Sequence, residues 1–300
     1  MAEFEFRQID VFTDRPLAGN PLAVVLDADE MGGETMQVVA AETNLSETAF
    51  VLRPTEPTAD YRLRIFTPKR ELPFAGHPSV GTAFALLREG RFGSPEETLS
   101  VRQEVGIGVL PIRVESTRDG PLITMTQGRP EVSERVEDAV GIAAALGCAA
   151  DQVSHSGPGP RVASTGLRQL MVPLASVEAV SLLSPEWSEL ALMERRLDVT
   201  GVSAFAIDGP GRVRCRFFSP RSGIMEDPAT GSAAGALGAY MAVEGMLDVE
   251  GGTAVLTVYQ GLEIRRPSRI DVRVRVSGRV PTLVEVGGRC VTVLRGTLSI

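Results

Sequence analysis

The sequence predicts an α+β protein of two pseudo-symmetric domains, each with mostly antiparallel strands that enclose one buried central helix. Two observations lead to this prediction. First, the segment Gly76–Ala83 (GHPSVGTA) has a second copy of its skeleton at Asp227–Ala233 (DPATGSA). Both copies read ionisable residue, Pro, two residues, Gly, one residue, Ala, and their spacing, 227 − 77 = 150, is half of the 300-residue chain. Second, the strand-like LRIFTP before the first copy matches CRFFSP before the second.

Composition and charge restrict the possible partners and setting. A hydrophobic content of 43% in 300 residues is enough for two cores. The 30 basic and 38 acidic side chains give a net charge of 30 − 38 = −8 without a basic cluster, so neither nucleic acid nor a membrane surface is expected as a partner. Cys148, Cys215 and Cys290 are odd in number and widely spaced, which predicts a reduced, cytoplasmic protein. No signal peptide or apolar run of roughly 18 residues is recognisable, so we expect a soluble chain.

In the first half, runs rich in alternating and β-branched residues predict strands. They cover residues 5–13, 22–26, 48–52, 61–66, 99–104, 109–115 and 122–126. A short helix is predicted over 34–42. A second helix begins at Pro78, which suits a first helical position, and ends at Gly90. His77 is thereby predicted to lie at the helix cap.

In the second half, an Ala-rich helix is predicted from Ser133 to about Gly147, and a loop containing His155 follows. A further helix over 185–197 is expected to place Trp187, Leu190 and Leu192 in the core. Strands are predicted over 161–164, 169–173, 202–207, 213–218, 254–259, 270–276, 283–286 and 290–294. The helix predicted over 228–243 has no charged residue and must therefore be enclosed. We expect the last strand to return to the first domain, so that the domains are 1–127 plus 288–300, and 128–287.

The two repeated helix starts predict a functional site. A helix start presents unpaired backbone N–H groups and favours an anion. Gly81 and Gly231 are expected to keep the two entrances clear of Cβ atoms. If a pseudo-twofold relates the halves, His77 and Asp227 come to opposite walls of one cleft around a small acidic ligand.

Each candidate residue also has a purely structural interpretation. His77 is either a helix cap or an acid, base or hydrogen-bond donor with an ordinary pKa of about 6.5. Asp227 suits an N-cap, worth about 1 kcal/mol, but its equivalence to His77 favours a functional role. Glu47 is either an exposed residue at a strand start or a chemical group on one side of the cleft. It has no counterpart in the second half, because aligning AFV at 49–51 with AFA at 204–206 places Gly201, Val202 and Ser203 opposite residues 46–48.

Other polar residues are interpreted more simply. Ser46 could orient a ligand or begin a strand, and Ser232 could donate to a carboxylate or be a small packing residue. Four further charged residues are interpreted as solvated: Arg64, Arg214, Arg216 and Glu226. His155 is interpreted as a loop residue without a functional role. The His and acidic positions lack metal-ligand spacing, and no dinucleotide fingerprint follows a strand.

Several segments together resemble the PhzF-like family, which shares the diaminopimelate epimerase fold. The matching segments are QIDVFT at 8–13, GNP at 19–21, SETAF at 46–50, FTP at 66–68, AGHP at 75–78 and EDPATGSA at 226–233. They run in the family's order across nearly the whole chain. The resemblance implies two similar domains, each a barrel-like sheet around a central helix. It also implies an active site between them, no cofactor and usually a homodimer.

The resemblance also implies residue roles. By motif, Glu47 is similar to the acid/base that moves a proton on the substrate, and His77 and Asp227 are similar to its helpers on the two walls. Binders of the substrate carboxylate are expected at Ser46, Gly76, Gly231 and Ser232.

We therefore expect an isomerase that shifts a double bond in a small carboxylic acid, with Glu47 as base and then as acid if burial raises its pKa. One alternative is an epimerase or racemase that uses His77 and Asp227 on opposite faces of the substrate. Relatives of this fold with that activity use a thiol on each wall, and none of the three cysteines lies in either motif. The other alternative is a non-catalytic protein that binds small acids.

Overall fold

The computed structural model describes residues 1–93, 98–153 and 158–300, so His155 lies outside the described residues. The chain forms two compact units. The first comprises Met1–Met125 and Gly287–Ile300, and the second comprises Thr126–Val286. Each contains a mixed, mostly antiparallel sheet and one buried helix, so the predicted fold class is confirmed.

The elements are as follows, taken over the described part of the chain. Strands up to residue 126 are β1 (Glu3–Val11), β2 (Asn20–Val25), β3 (Thr48–Leu52), β4 (Tyr61–Phe66), β5 (Glu71–Leu72), β6 (Thr98–Val105), β7 (Gly108–Thr117) and β8 (Gly120–Thr126). Later strands are β9 (Glu131–Arg135), β10 (Arg161–Ser164), β11 (Arg168–Pro173), β12 (Val202–Ile207), β13 (Arg212–Ser219), β14 (Ile224–Asp227), β15 (Val249–Glu250), β16 (Thr253–Gln260), β17 (Ser268–Ser277), β18 (Val280–Gly288) and β19 (Cys290–Ser299). The α-helices are α1 (Gly33–Thr43), α2 (Gly76–Arg88), α3 (Ala139–Leu146), α4 (Val177–Ser181), α5 (Trp187–Leu197) and α6 (Gly231–Glu244).

The first unit is a sheet in the order β19, β1, β2, β3, β4, β6, β7, β8 around α2. Neighbours are antiparallel except β2 with β3 and β4 with β6. Helix α2 packs on β1 and β2 at Gly81, where a Cβ atom would lie 2.7 Å from Val11 Cγ2 and 2.6 Å from Leu22 Cδ2. Gly81 therefore allows close helix–sheet packing, and the expectation that it clears a ligand entrance is wrong.

The second unit repeats this pattern in the order β9, β10, β11, β12, β13, β16, β17. Neighbours are antiparallel except β11 with β12 and β13 with β16, so the parallel pairs occur at matching places in the two units. Helix α6 is buried on nearly every side, as the absence of charge from residues 228–243 predicts, and it is built mainly from Ala and Gly. The internal repeat read from the motifs is therefore present in the strand pairing.

Two local predictions are wrong. Residues 133–135, expected to begin a helix, instead belong to β9, which pairs with β10, and α3 begins only at Ala139 after the Asp138 cap. In α5, Leu190 is buried as predicted, but Trp187 and Leu192 are 40% and 52% exposed. The buried face of that helix instead continues from Leu190 to residues 193 and 194, one turn further on.

No helix among the described residues has both the length and the apolar character needed to cross a membrane.

Candidate active site

Glu47 and His77 lie together in the first unit. Glu47 directly precedes β3, which is held between β2 and β4, and His77 is the second residue of α2. The Glu47 Oε2 and His77 Nε2 atoms are 3.5 Å apart, and the two side chains are only 13% and 8% exposed. The structure thus brings together two of the three predicted catalytic residues, although they are 30 positions apart in the chain.

His77 is neutral at physiological pH. Burial disfavours the charged imidazolium and lowers the pKa of His77 from its ordinary 6.5 to about 3. A separation of 3.5 Å is longer than a normal hydrogen bond, and catalytic contacts are often long before substrate binds. The pair can therefore place a carboxylate and a neutral imidazole against the same atom of a small ligand.

The start of α2 differs from the prediction. Ala75 is the N-cap and Gly76 the first helical residue, so His77 is not a cap and Pro78 stands third. Around Gly76, an added Cβ atom would meet only Met125 Sδ, at 4.0 Å. Packing within the unit therefore does not require glycine at this position. Ser46 is half-buried in the bend that leads to Glu47.

Asp227 has a different backbone setting in the second unit. It is the last residue of β14 and is buried, and Thr230, not Asp227, is the N-cap of α6. The Thr230 hydroxyl donates a hydrogen bond to Asp227 Oδ2, and Gln260 Nε2 donates to the backbone oxygen of Asp227 at 2.7 Å. The alternative interpretation of Asp227 as an N-cap is therefore wrong, and its carboxylate accepts a hydrogen bond from a neighbouring hydroxyl.

Gly231 and Ser232 are the first two residues of α6. The Ser232 hydroxyl accepts a hydrogen bond from Gln169 Nε2 at 3.0 Å. The sequence did not reveal three residues that contact Asp227 or Ser232: Gln169, Thr230 and Gln260. Thr230 lies inside the repeated motif and could have been noticed, whereas the two glutamines have no local signal.

Arg64 and Arg216, expected to be solvated, occupy matching positions and make matching ion pairs. Arg64 binds Glu71 through two hydrogen bonds of 2.7 and 2.8 Å. Arg216 binds Glu226 through two of 3.0 and 2.8 Å, and both of these side chains are less than 10% exposed. The predictions that Arg216 and Glu226 are solvated are therefore wrong.

A third strand arginine, Arg214, also forms an ion pair. Its Nη2 atom lies 2.9 Å from Glu263 Oε1, and the two side chains are 17% and 13% exposed. The expectation that it is solvated is therefore also wrong.

Strand pairing also fixes which residue of the second unit corresponds to Glu47. Phe50 lies opposite Arg64, and Ala204 lies opposite Arg216, so the sequence alignment of the halves is one residue out of register. Glu47 therefore corresponds to Gly201. A Cβ atom at Gly201 would lie 2.2 Å from Cζ of Phe217, so a side chain there would clash with the ring unless the ring moved. The absence of a second carboxylate is built into the core of the second unit.

The described residues hold no group of three or more His, Cys, Asp or Glu side chains that could bind a metal ion.

The repeated fold defines a class of protein: one with two epimerase-like units. A family model described as "Phenazine biosynthesis-like protein" matches residues 9–296. The chain belongs to this family, as its motifs indicate.

Individual relatives cover nearly the whole chain. A Pseudomonas aeruginosa protein named trans-2,3-dihydro-3-hydroxyanthranilate isomerase is 38% identical over 93% of this chain and 94% of its own. A Schizosaccharomyces pombe protein named antisense-enhancing sequence 1 is 35% identical over 99% of both chains. The crystal structure of a Bacillus anthracis phenazine biosynthesis protein of the PhzF family superposes with a TM-score of 0.89, covers 100% of both chains and is 29% identical.

Proposed function

We propose that the protein is a cofactor-independent isomerase that shifts a double bond in a small carboxylic acid, with Glu47 as the group that moves the proton. The observation that supports this most directly is the Glu47 side chain, only 13% exposed, 3.5 Å from a neutral His77. The name of the P. aeruginosa relative supports a cyclic, unsaturated amino acid as the kind of substrate to test first.

In the proposed reaction, the Glu47 carboxylate takes a proton from a substrate carbon. The electron pair of that C–H bond forms the new double bond. The electron pair of the existing double bond takes a proton from the Glu47 carboxylic acid at the far carbon, on the same face. A single carboxyl group can act as base and then acid, and a positioned group of this kind contributes about 10²–10⁴-fold. Because the pKa of His77 is about 3, the imidazole does not compete for the proton and acts through hydrogen bonding.

In the same proposal, the starts of helices α2 and α6 bind the carboxylate of the substrate. The first backbone N–H groups of a helix have no intrahelical partner and favour an anion. Gly76 opens α2 and Gly231 opens α6, with Ser46 and Ser232 as neighbouring hydroxyl donors. Asp227 is proposed as a further participant in proton transfer, on the basis of its motif equivalence to His77.

The test is the Glu47→Gln variant assayed with trans-2,3-dihydro-3-hydroxyanthranilate. We expect kcat to fall by about 10²–10⁴-fold while Tm stays unchanged, because the amide keeps the shape but cannot accept the proton. Glu42→Gln, an exposed change on α1, is the matched control and should retain activity. Wild-type turnover by Glu47→Gln would remove Glu47 from the mechanism.

Product analysis separates this proposal from its rivals. NMR of the product should show a moved double bond, whereas inversion at one carbon would indicate an epimerase that uses His77 and Asp227. That rival is less well supported, because an imidazole with a pKa of about 3 is a weak base. Saturable binding without any product would indicate a small-acid-binding protein.

A homodimer is also proposed, and sedimentation analysis tests it.

A further inference from the structure

Gln260 and Thr230 form a hydrogen-bonded chain that ends on Asp227. We propose that these two are positioning residues that orient the Asp227 carboxylate and keep it a hydrogen-bond acceptor. The functional part of this inference rests on the proposed participation of Asp227 in the reaction.

Two backbone contacts fix the orientation of the Gln260 amide. The Thr230 backbone N–H can only donate, and it donates to Gln260 Oε1 at 3.3 Å. The Asp227 backbone carbonyl can only accept, and it accepts from Gln260 Nε2 at 2.7 Å. These two contacts determine which end of the Gln260 amide is oxygen and which is nitrogen, so an amide flip is excluded.

The amide then sets the Thr230 hydroxyl. Gln260 Nε2 donates its second hydrogen to Thr230 Oγ1 at 3.1 Å, and the hydroxyl passes its own hydrogen to Asp227 Oδ2. Gln260 is 1% exposed and Asp227 is 6% exposed, so water competes little with these bonds. A hydrogen bond donated to a carboxylate stabilises its charged form. The hydrogen bonds from Gln260 through Thr230 therefore favour the ionised Asp227 side chain in one orientation.

The first unit contains a related chain with a different end point. Tyr61 donates to Gln103 Oε1 at 2.9 Å, Gln103 Nε2 donates to Ser79 Oγ at 2.9 Å, and Ser79 donates to the Ala75 backbone oxygen at 2.8 Å. Both units thus use a buried glutamine to orient a hydroxyl near the start of the central helix. Only in the second unit does the hydroxyl act on a carboxylate, which points to a role beyond holding the helix.

The experiment follows the Asp227 carboxyl carbon by ¹³C NMR as a function of pH, assigned by comparison with Asp227→Asn. Thr230→Val removes the hydroxyl at nearly constant shape, and we expect the titration midpoint to rise by about one pH unit. Thr230→Ser keeps the hydroxyl and should restore the wild-type midpoint. Ser79→Ala, the matched change in the first unit, should leave it unmoved. Thr230→Ala provides the same test if the Val variant does not fold.

The outcomes separate the inference from the proposed function. An unchanged midpoint in the folded Thr230 variants would overturn the positioning role. If the midpoint rises and the acid side of the pH profile of kcat shifts to higher pH with it, the positioning role and the participation of Asp227 in the reaction are both supported. If the midpoint rises but the kcat profile does not move, the positioning role stands and the participation of Asp227 in the reaction is wrong.

Discussion

The two copies of the repeated motif keep the same scaffold but differ in the groups they present. In both, a strand arginine binds a glutamate through two hydrogen bonds just before the central helix. In the first copy, His77 lies inside the helix and contacts Glu47. In the second, Asp227 ends a strand before the helix begins. The two units therefore share the strand pairing and the ion pairs, whereas their helix starts differ.

The largest expected difference between the two copies is the cost of removing the arginine. Arg216→Met leaves Glu226 buried without its partner and removes donors to two backbone carbonyls, so we expect a loss of about 3–5 kcal/mol. Arg64→Met should cost about 0–1 kcal/mol, because the Arg64 and Glu71 side chains are 25% and 42% exposed. Urea unfolding of both variants measures the difference. Equal losses would show that burial does not distinguish the two pairs.

A second difference concerns glycine. Gly201→Ala places a Cβ atom 2.2 Å from the Phe217 ring, and we expect overpacking to cost about 1–3 kcal/mol. Gly76→Ala meets only Met125 Sδ at 4.0 Å and should unfold like wild type. If the backbone at Gly76 binds the substrate carboxylate, that variant should instead show a raised KM. A destabilised Gly76→Ala would mean that this glycine serves packing.

The smallest expected effect is the absence of a titration at His77. In a His155→Gln background, the His77 ring signals should not change between pH 5 and 8, because the pKa of His77 is lowered to about 3. The unfolded chain takes up this proton near pH 6.5, so the stabilisation from neutral His77 is complete above that pH and declines as the pH falls towards 3. A ring titration near pH 6.5 would show that His77 is solvated.

The sequence was sufficient for features that depend on composition or local pattern. The uncharged stretch of α6 predicted enclosure, and the repeated motif predicted two similar units, because both signals are continuous in the chain. Register was not visible, since the correspondence of Glu47 with Gly201 depends on which residues face each other across strands. The helix starts were misplaced because proline at 78 and 228 suggested a first helical position that neither occupies.

In the candidate site, too, residues within local motifs could be predicted, whereas contacts between distant segments could not. Glu47, His77 and Asp227 were found by motif, and the structure places the first two in contact range. The Gln260 chain could not be predicted, because its contacts join residues 33 positions apart through a buried amide. A lone glutamine at the end of a strand carries no pattern in sequence. The catalytic and binding roles of the motif residues stay predictions until the variants are assayed.

The return of β19 to pair with β1 affects the order in which the protein can fold during synthesis. The second unit is contiguous, so all of its residues are synthesised before the last strand of the first unit. Domains generally fold as units, beginning with the N-terminal one. Here the edge of β1 that pairs with β19 stays unpaired until the last strand has been made. The unit that is synthesised later is therefore the first that can complete its core.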